Sequence, residues 1–408
     1  MSPITRREFG SALAVLGAQA GQLWGAPGID ETLRKSVQRR KIPTVTAMVA
    51  TADRTTYTGA FGKRDSASGV EVKPDSIFAI ASMTKAITTT AALQLVERGK
   101  LTLDEPAAKH LPELSKAQVL TGFDADGKPM LRPATKPITL RNLMTHTSGF
   151  AYDTWEADIA KYTAQAGANL TPATVAPLIP LAFEPGTRWQ YGYGLDWTGR
   201  LVETVSGQTL EQYFQANILQ PLGMTDTSFI LPAEKFDRLV SIYQRQSDGA
   251  LKENPRTLPA PPKAYNGGGG LYSTAPDYAR FMQMILRRGR GSGKEQILQA
   301  KTAQMMMANQ IGPLGAGKLK TVRPALSSDV DFHPGATDKF TFGFLLNTTA
   351  YPGGRSAGSL AWAGVYNTYY WIDPKRSLCA VVMMQFLPFA DKEGVGLLGD
   401  FERAVYAS

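Results

Sequence analysis

The sequence predicts a discontinuous α/β domain holding a mainly helical insertion. Three observations lead there. Strand-like alternation occupies the start of the chain, helical patterning fills its middle, and strands return before a closing helix. The expected division is a leader over 1–27, an α/β domain from 28–80 and 268–408, and a helical domain over 81–267.

Each element follows from its residues. "IDETLRKSVQRR" reads as an amphipathic helix whose basic cluster is a solvated face. "TVTAMVATAD" and "TTYTGAFGKRD" are rich in β-branched residues and alternate, so they read as two strands around a tight turn at Asp53-Arg54. "IFAIASMTKAITTTAALQLVERG" starts a helix near Ser82, with apolar Ile87, Ala91 and Leu95 and a Gly99 cap. Thr88, Thr89 and Thr90 are poor helix formers, so burial must override propensity there. From Leu101 to Tyr265 the pattern is mostly helical with long loops. "FDADGKPMLRPATKPITL" forms a hairpin or extended excursion, and "LEQYFQANILQPLGM" is a helix with a Pro-Leu-Gly stop. "NGGGGLYSTAPDYARFMQMILRRG" reads as a mobile glycine loop, then a helix capped at Ser273 or Thr274 before Pro276. "FTFGFLLN", "LAWAGVYNTYYWID" and "LCAVVMMQF" read as strands, and "GVGLLGDFERAVYA" as the last helix.

Composition narrows the function. The 408 residues are 43% hydrophobic and 19% charged, an ordinary globular balance. No apolar run approaches the roughly 18 residues that span a bilayer, so no membrane span is expected. The net charge of +9 comes from scattered basic residues, without zinc-finger spacing or an aromatic-basic RNA motif, so no nucleic-acid partner is expected. The single cysteine, Cys379, excludes an internal disulfide and reads as a core thiol. His110, His146 and His333 lack metal-site spacing, so neither metal nor cofactor is expected. "MSPITRREFGSALAVLGAQA", with Arg6, Arg7 and Ala18-Gln19-Ala20, resembles a twin-arginine export signal. Its short, interrupted apolar stretch equally fits a frayed cytoplasmic N-terminus.

Two motifs mislead. Gly354-Arg355-Ser356-Ala357-Gly358 fits G-x-S-x-G, but a strand follows where a helix is needed, and every histidine lies upstream. "RGSGKE" at 290–295 fails the phosphate-loop pattern at both ends.

Ser82 and Lys85 are three residues apart, a spacing that puts both on one face of a helix. Such a pair arises about once by chance in a chain of this length, given ordinary residue usage. It gains meaning from two further stretches. "FEPGTRWQYGYGLDWTGRLVE" carries Tyr191 in a turn before a helix. "SLAWAGVYNTYYWID" carries Gly364 mid-strand, where a substrate can approach backbone. A serine nucleophile needs a base, and here lysine and tyrosine are the available types.

Together these residues resemble the serine β-lactamase and penicillin-binding-protein superfamily, in its class C-like branch. Ser82-Met83-Thr84-Lys85, Tyr191-Gly192-Tyr193 and Trp362-Ala363-Gly364 match the order and spacing of the S-x-x-K, Y-x-N and K-T-G motifs. "LRNLMTHTSGF" and "ILQPLGMTDTSF" look like further landmarks. The resemblance spans about residues 28 to 400. It implies an antiparallel sheet flanked by helices, Ser82 as nucleophile, and Lys85 and Tyr191 sharing the proton work. It also implies an oxyanion hole from the N–H groups of Ser82 and Val365, and substrate binding by Tyr193, Trp362, Ala363 and Gly364.

Two departures shape the expected substrate. Tyr193 stands where the β-lactamases have Asn, and Trp362-Ala363 stand where they have Lys-Thr. The family's carboxylate and amide contacts are thereby lost. The pattern is similar to family VIII carboxylesterases and to acyltransferases acting on polyketide side chains. The expectation is a serine carboxylesterase for small neutral, short-acyl esters. An acyltransferase of the same chemistry, or a β-lactamase or D-alanyl peptidase, is the alternative.

Overall fold

The computed structural model describes residues 26–166 and 179–407. The export-like segment of residues 1–20 lies outside the described residues. Among the described residues no helix is long and apolar enough to cross a membrane.

The chain opens with helix α1 (Ala26–Arg40) and strands β1 (Thr44–Thr51) and β2 (Thr55–Gly62). Later come β3 (Lys339–Phe340), β4 (Leu345–Leu346), β5 (Leu360–Gly364), β6 (Thr368–Asp373) and β7 (Leu378–Met383). They form one antiparallel seven-stranded sheet, in the order β3-β4-β5-β6-β7-β1-β2. The two ends of the chain meet where β1 pairs with β7, Met48 opposite Val381.

Side-chain alternation feeds two cores. On β1, Met48 and Ala50 point to one face, and Val45, Ala47 and Val49 to the other. On β7, Cys379, Val381 and Met383 oppose Ala380 and Val382 in the same way. Both faces are therefore covered. α1 packs with the last helix, which spans Lys392–Ala407, and a helix at Ala275–Leu286 packs on β1 and β7 from the other side. Thr274 caps the latter, accepting from the Asp277 N–H.

Between the sheet halves lies α2 (Thr84–Glu97), buried at every residue from Thr84 to Leu95. A helix apolar or small on all sides belongs in a core. Full burial of Ile87, Leu93 and Leu95 contributes roughly 1.5–3 kcal/mol each. Gly99, at φ 65°, takes the left-handed position that ends the helix. α2 packs on α3 (Gly194–Ser206). The hairpin predicted near 123 runs as Gln118–Phe123 paired with Pro129–Pro133.

Two strands differ from expectation. "LAWAGVYNTYYWID" is a hairpin of β5 and β6, so Gly364 ends a strand instead of lying mid-strand. "FTFGFLLN" is split into β3 and β4 by a turn, where Thr341 N–H bonds the Phe344 carbonyl and Gly343 sits at φ 89°. A non-glycine residue is strained there, so the segment reverses instead of extending.

Candidate active site

Ser82 sits in a single 3-10 turn, Ala81–Met83, immediately before α2. Ala81 precedes it in the left-handed region at φ 43°, a conformation that costs a non-glycine residue about 1–2 kcal/mol. The turn is held from outside: the Tyr278 phenol donates to the Met83 carbonyl at 2.9 Å. On its other side runs β5. A Cβ on Gly364 would lie 2.4 Å from the Ile80 carbonyl oxygen, so only glycine lets the strand pass this close. Val365 follows, and its side of the strand end borders the same cavity as Ser82.

Lys85 is 1% exposed and lies one turn into the helical run. Its Nζ is 3.1 Å from Ser82 Oγ, 3.1 Å from the Tyr152 phenol and 2.5 Å from the Gly268 carbonyl oxygen. It also stands 4.8 Å from the Tyr191 ring centroid and 5.2 Å from that of Tyr152, within cation–π range of both. The Tyr191 phenol accepts from the Trp362 indole N–H at 3.3 Å, and the two rings meet edge-on at 4.9 Å.

The glycine run 267–270 corrects the mobile-loop expectation. It is stitched to α2 and α3. Thr88 Oγ1 donates to the Gly267 carbonyl at 2.7 Å, and Thr84 Oγ1 accepts from the Leu271 N–H at 3.3 Å. Gly268 N–H donates to Asp196 Oδ1 at 2.9 Å. Added Cβ atoms would fall 2.4 Å from the Leu195 carbonyl at Gly267 and 2.5 Å from Asp196 Oδ2 at Gly268. At Gly267 and Gly268 glycine is present because helices crowd the backbone, and at Gly270 because φ is 102°. The same contacts give two α2 threonines, Thr84 and Thr88, partners in this segment.

Ser82, Tyr152, Trp155, Tyr191, Gly269, Tyr272, Val365 and Tyr366 border a cavity of about 340 Å³. Its remaining walls are apolar, small or neutral-polar, so no charged side chain borders it among the described residues. None of the four residues expected to bind substrate borders this cavity in this structure. Tyr193 is buried and packs its ring 4.2 Å from Tyr152. Ala363 turns into the core on the α1 side. Trp362 is half-buried, meets the Tyr191 ring edge-on and lines a second cavity, and Gly364 is closed over by Ile80.

Three neighbours were missed by sequence reasoning. Tyr152 is half-buried at the cavity wall, and burial of its phenol together with Asp196 holds it well above the usual range, so it is protonated. Asp196 lies at the start of α3, 4% exposed, with burial raising its carboxyl to about 6 against the pull of Lys85, the Gly268 N–H and Tyr152. His146 packs 4.7 Å from Tyr191, and its Nδ1 accepts from the Gly192 N–H at 3.4 Å. Burial and the Lys85 charge push it well below its ordinary range, so it is neutral.

Residues 29–399 match the family described as Beta-lactamase. The chain belongs to the beta-lactamase family. Within it, the chain is 32% identical over 410 residues to the monacolin J acid methylbutanoyltransferase of Aspergillus terreus, covering 93% of this chain and 95% of that one. It is 36% identical over 349 residues to the lovastatin esterase of Penicillium rubens, covering 81% and 85%. A solved mutant of simvastatin synthase from Aspergillus terreus superimposes with a TM-score of 0.80 at 32% identity, covering 96% of this chain and 98% of the other. This family member is a serine acyl-transfer enzyme on the β-lactamase fold.

The decoy serine does not border the cavity on which Ser82 opens. Ser356 follows Arg355, whose guanidinium makes a buried ion pair with Glu402 at 2.6 Å, and its N–H bonds Asp373.

Proposed function

We propose that this enzyme is a carboxylesterase for neutral, short-acyl esters, working through an acyl-enzyme on Ser82. The single observation that carries the reading is an aromatic, uncharged cavity opening on a serine whose hydroxyl meets a buried lysine. Lys85 as the free amine takes the Ser82 proton while Oγ attacks the ester carbonyl; the resulting ammonium returns the proton to the departing alkoxide. Lys85 is assigned this step because its Nζ is 3.1 Å from Oγ, whereas the Tyr191 phenol is engaged by Trp362. Tyr191 borders the cavity over the lysine and is assigned to the leaving-group side. The N–H groups of Ser82 and Val365 are the proposed oxyanion donors, worth roughly 3–4 kcal/mol each. Water then resolves the acyl-enzyme. Ser82-Met83-Thr84-Lys85 is thus read as the S-x-x-K motif, and the enzyme as similar to family VIII esterases.

A penicillin brings a carboxylate that finds no cation on these walls. A charge-assisted hydrogen bond is worth about 1.5–3 kcal/mol, or roughly 10- to 150-fold. Acyl transfer to an alcohol is the second reading, favoured by similarity to a methylbutanoyltransferase, whose name also specifies a short acyl group; similarity to an esterase favours hydrolysis. The test is kcat/KM for p-nitrophenyl butyrate beside a penicillin, with product analysis in added alcohol. Preference for the ester with free acid as main product is expected. Preference for the penicillin refutes the reading, and ester formation as the main course replaces hydrolysis by transfer.

A further inference from the structure

We propose that Asp196 is a positioning residue that turns Lys85 toward Ser82, acting through the Tyr152 phenol and the Gly268 backbone. The proposal rests on the Ser82–Lys85 reading above. Asp196 grips two groups that in turn grip Lys85. Its Oδ1 accepts from the Gly268 N–H at 2.9 Å, and the carbonyl of that same residue accepts from Lys85 at 2.5 Å. Its Oδ2 faces the Tyr152 phenol at 3.5 Å, and the phenol oxygen is 3.1 Å from Lys85 Nζ. The first contact is long for an O–H···O bond, as resting-state contacts in active sites often are.

Hydrogen-bond direction does the positioning. A carboxylate only accepts, so the Tyr152 hydrogen points at Asp196 and the phenol oxygen is left to accept from Lys85. The Gly268 carbonyl can only accept as well. Two N–H groups of Lys85 are thereby committed, and the remaining site on Nζ faces Ser82 Oγ at 3.1 Å. In the free amine that site is the lone pair that receives the serine proton. A buried carboxylate is costly to keep, and this one reaches the Lys85 nitrogen through Tyr152 rather than by direct contact.

The groups facing Asp196 are Lys85 from α2, Tyr152 from the segment before residue 156, Tyr193 ahead of α3, and the Gly268 N–H, itself shared with the Asn266 side chain. With its carboxyl raised to about 6, Asp196 takes a proton as pH falls through that value. It then donates, the Tyr152 hydrogen is released toward Lys85, and the alignment is lost. Activity therefore rises with pH through about 6.

The test is kcat and KM for p-nitrophenyl butyrate from about pH 5 to about 9, on the full-length enzyme and on Asp196→Asn, Tyr152→Phe and the double variant. Asp196→Asn should lower kcat by roughly 10- to 100-fold, keep KM within about threefold, and move or erase the acid limb near 6. The double variant should lose less than the product of the single losses, because both act on one lysine. A folded Asp196→Asn enzyme with parental kcat and limb overturns the proposal. So does a uniform loss with the limb unmoved, which marks structural support only. If Asp196→Asn does not fold, Tyr152→Phe decides: a parental profile overturns the proposal, and loss of rate together with the limb supports it. Ser82→Ala is measured beside them. If it is inactive while Asp196→Asn is parental, only the positioning role falls; if it stays active, the underlying reading falls.

Discussion

Substituting Gly268 by alanine should injure catalysis out of proportion to the single methyl added. The new Cβ would lie 2.5 Å from Asp196 Oδ2 and 2.6 Å from Oδ1, well inside contact distance, so backbone or carboxylate must move. Overpacking of this kind costs about 1–3 kcal/mol of stability. The movement has a specific consequence, because the Gly268 carbonyl oxygen is the 2.5 Å acceptor for Lys85. Displacing a reacting group by about 1 Å costs on the order of 100-fold in rate. We therefore expect kcat to fall roughly 10- to 100-fold, beyond what the Tm loss explains. Gly269 supplies the comparison. Its added Cβ would meet nothing nearer than 3.7 Å, while pointing near a cavity wall. Gly269→Ala should keep parental Tm and show its effect in KM. The assay is thermal unfolding beside steady-state kinetics on p-nitrophenyl butyrate. A Gly268→Ala enzyme with parental kcat would refute the claim that this carbonyl holds the lysine in place.

Trp362→Phe keeps a ring beside Tyr191 and removes the indole donor at 3.3 Å. The loss of one neutral hydrogen bond, about 0.5–1.5 kcal/mol, predicts a roughly 2- to 10-fold fall in kcat/KM. The fall should be equal for ester and penicillin, since Trp362 does not border the Ser82 cavity; an altered ratio would mean that it touches substrate. Glu402→Gln should cost about 3–5 kcal/mol in urea unfolding by leaving buried Arg355 unpaired. Burial opposes the Glu402 charge, but the Arg355 guanidinium wins and holds the carboxyl below its ordinary value. The pair's stabilisation is thus present above the unfolded carboxyl's range and lost as pH falls through the lower folded one. A Glu402→Gln variant of parental stability, or a parent enzyme without the acid-side loss, contradicts this.

How much of this was legible follows from how local each signal is. The β1 and β2 alternation and the Gly99 stop are written within a few residues, and they read correctly. Ser82 and Lys85 touch across one helical turn, so their spacing carried the contact. Tyr152 and Gly268 reach Lys85 across 67 and 183 residues, and nothing near either position announces a partner. Asp196 is camouflaged, because an acidic residue in a first helical turn ordinarily complements the helix dipole. The glycine run read as mobile because composition reports conformational freedom but not the helix crowding that demands it.

The central claim is that acyl groups pass through Ser82. Intact-protein mass spectrometry after rapid acid quench of the p-nitrophenyl butyrate reaction tests it most directly, followed by peptide mapping. The account predicts a single butyryl adduct on the peptide containing Ser82, absent from Ser82→Ala and retained in Ser356→Ala. An adduct mapped to Ser356, or undiminished turnover and acylation in Ser82→Ala, would contradict it.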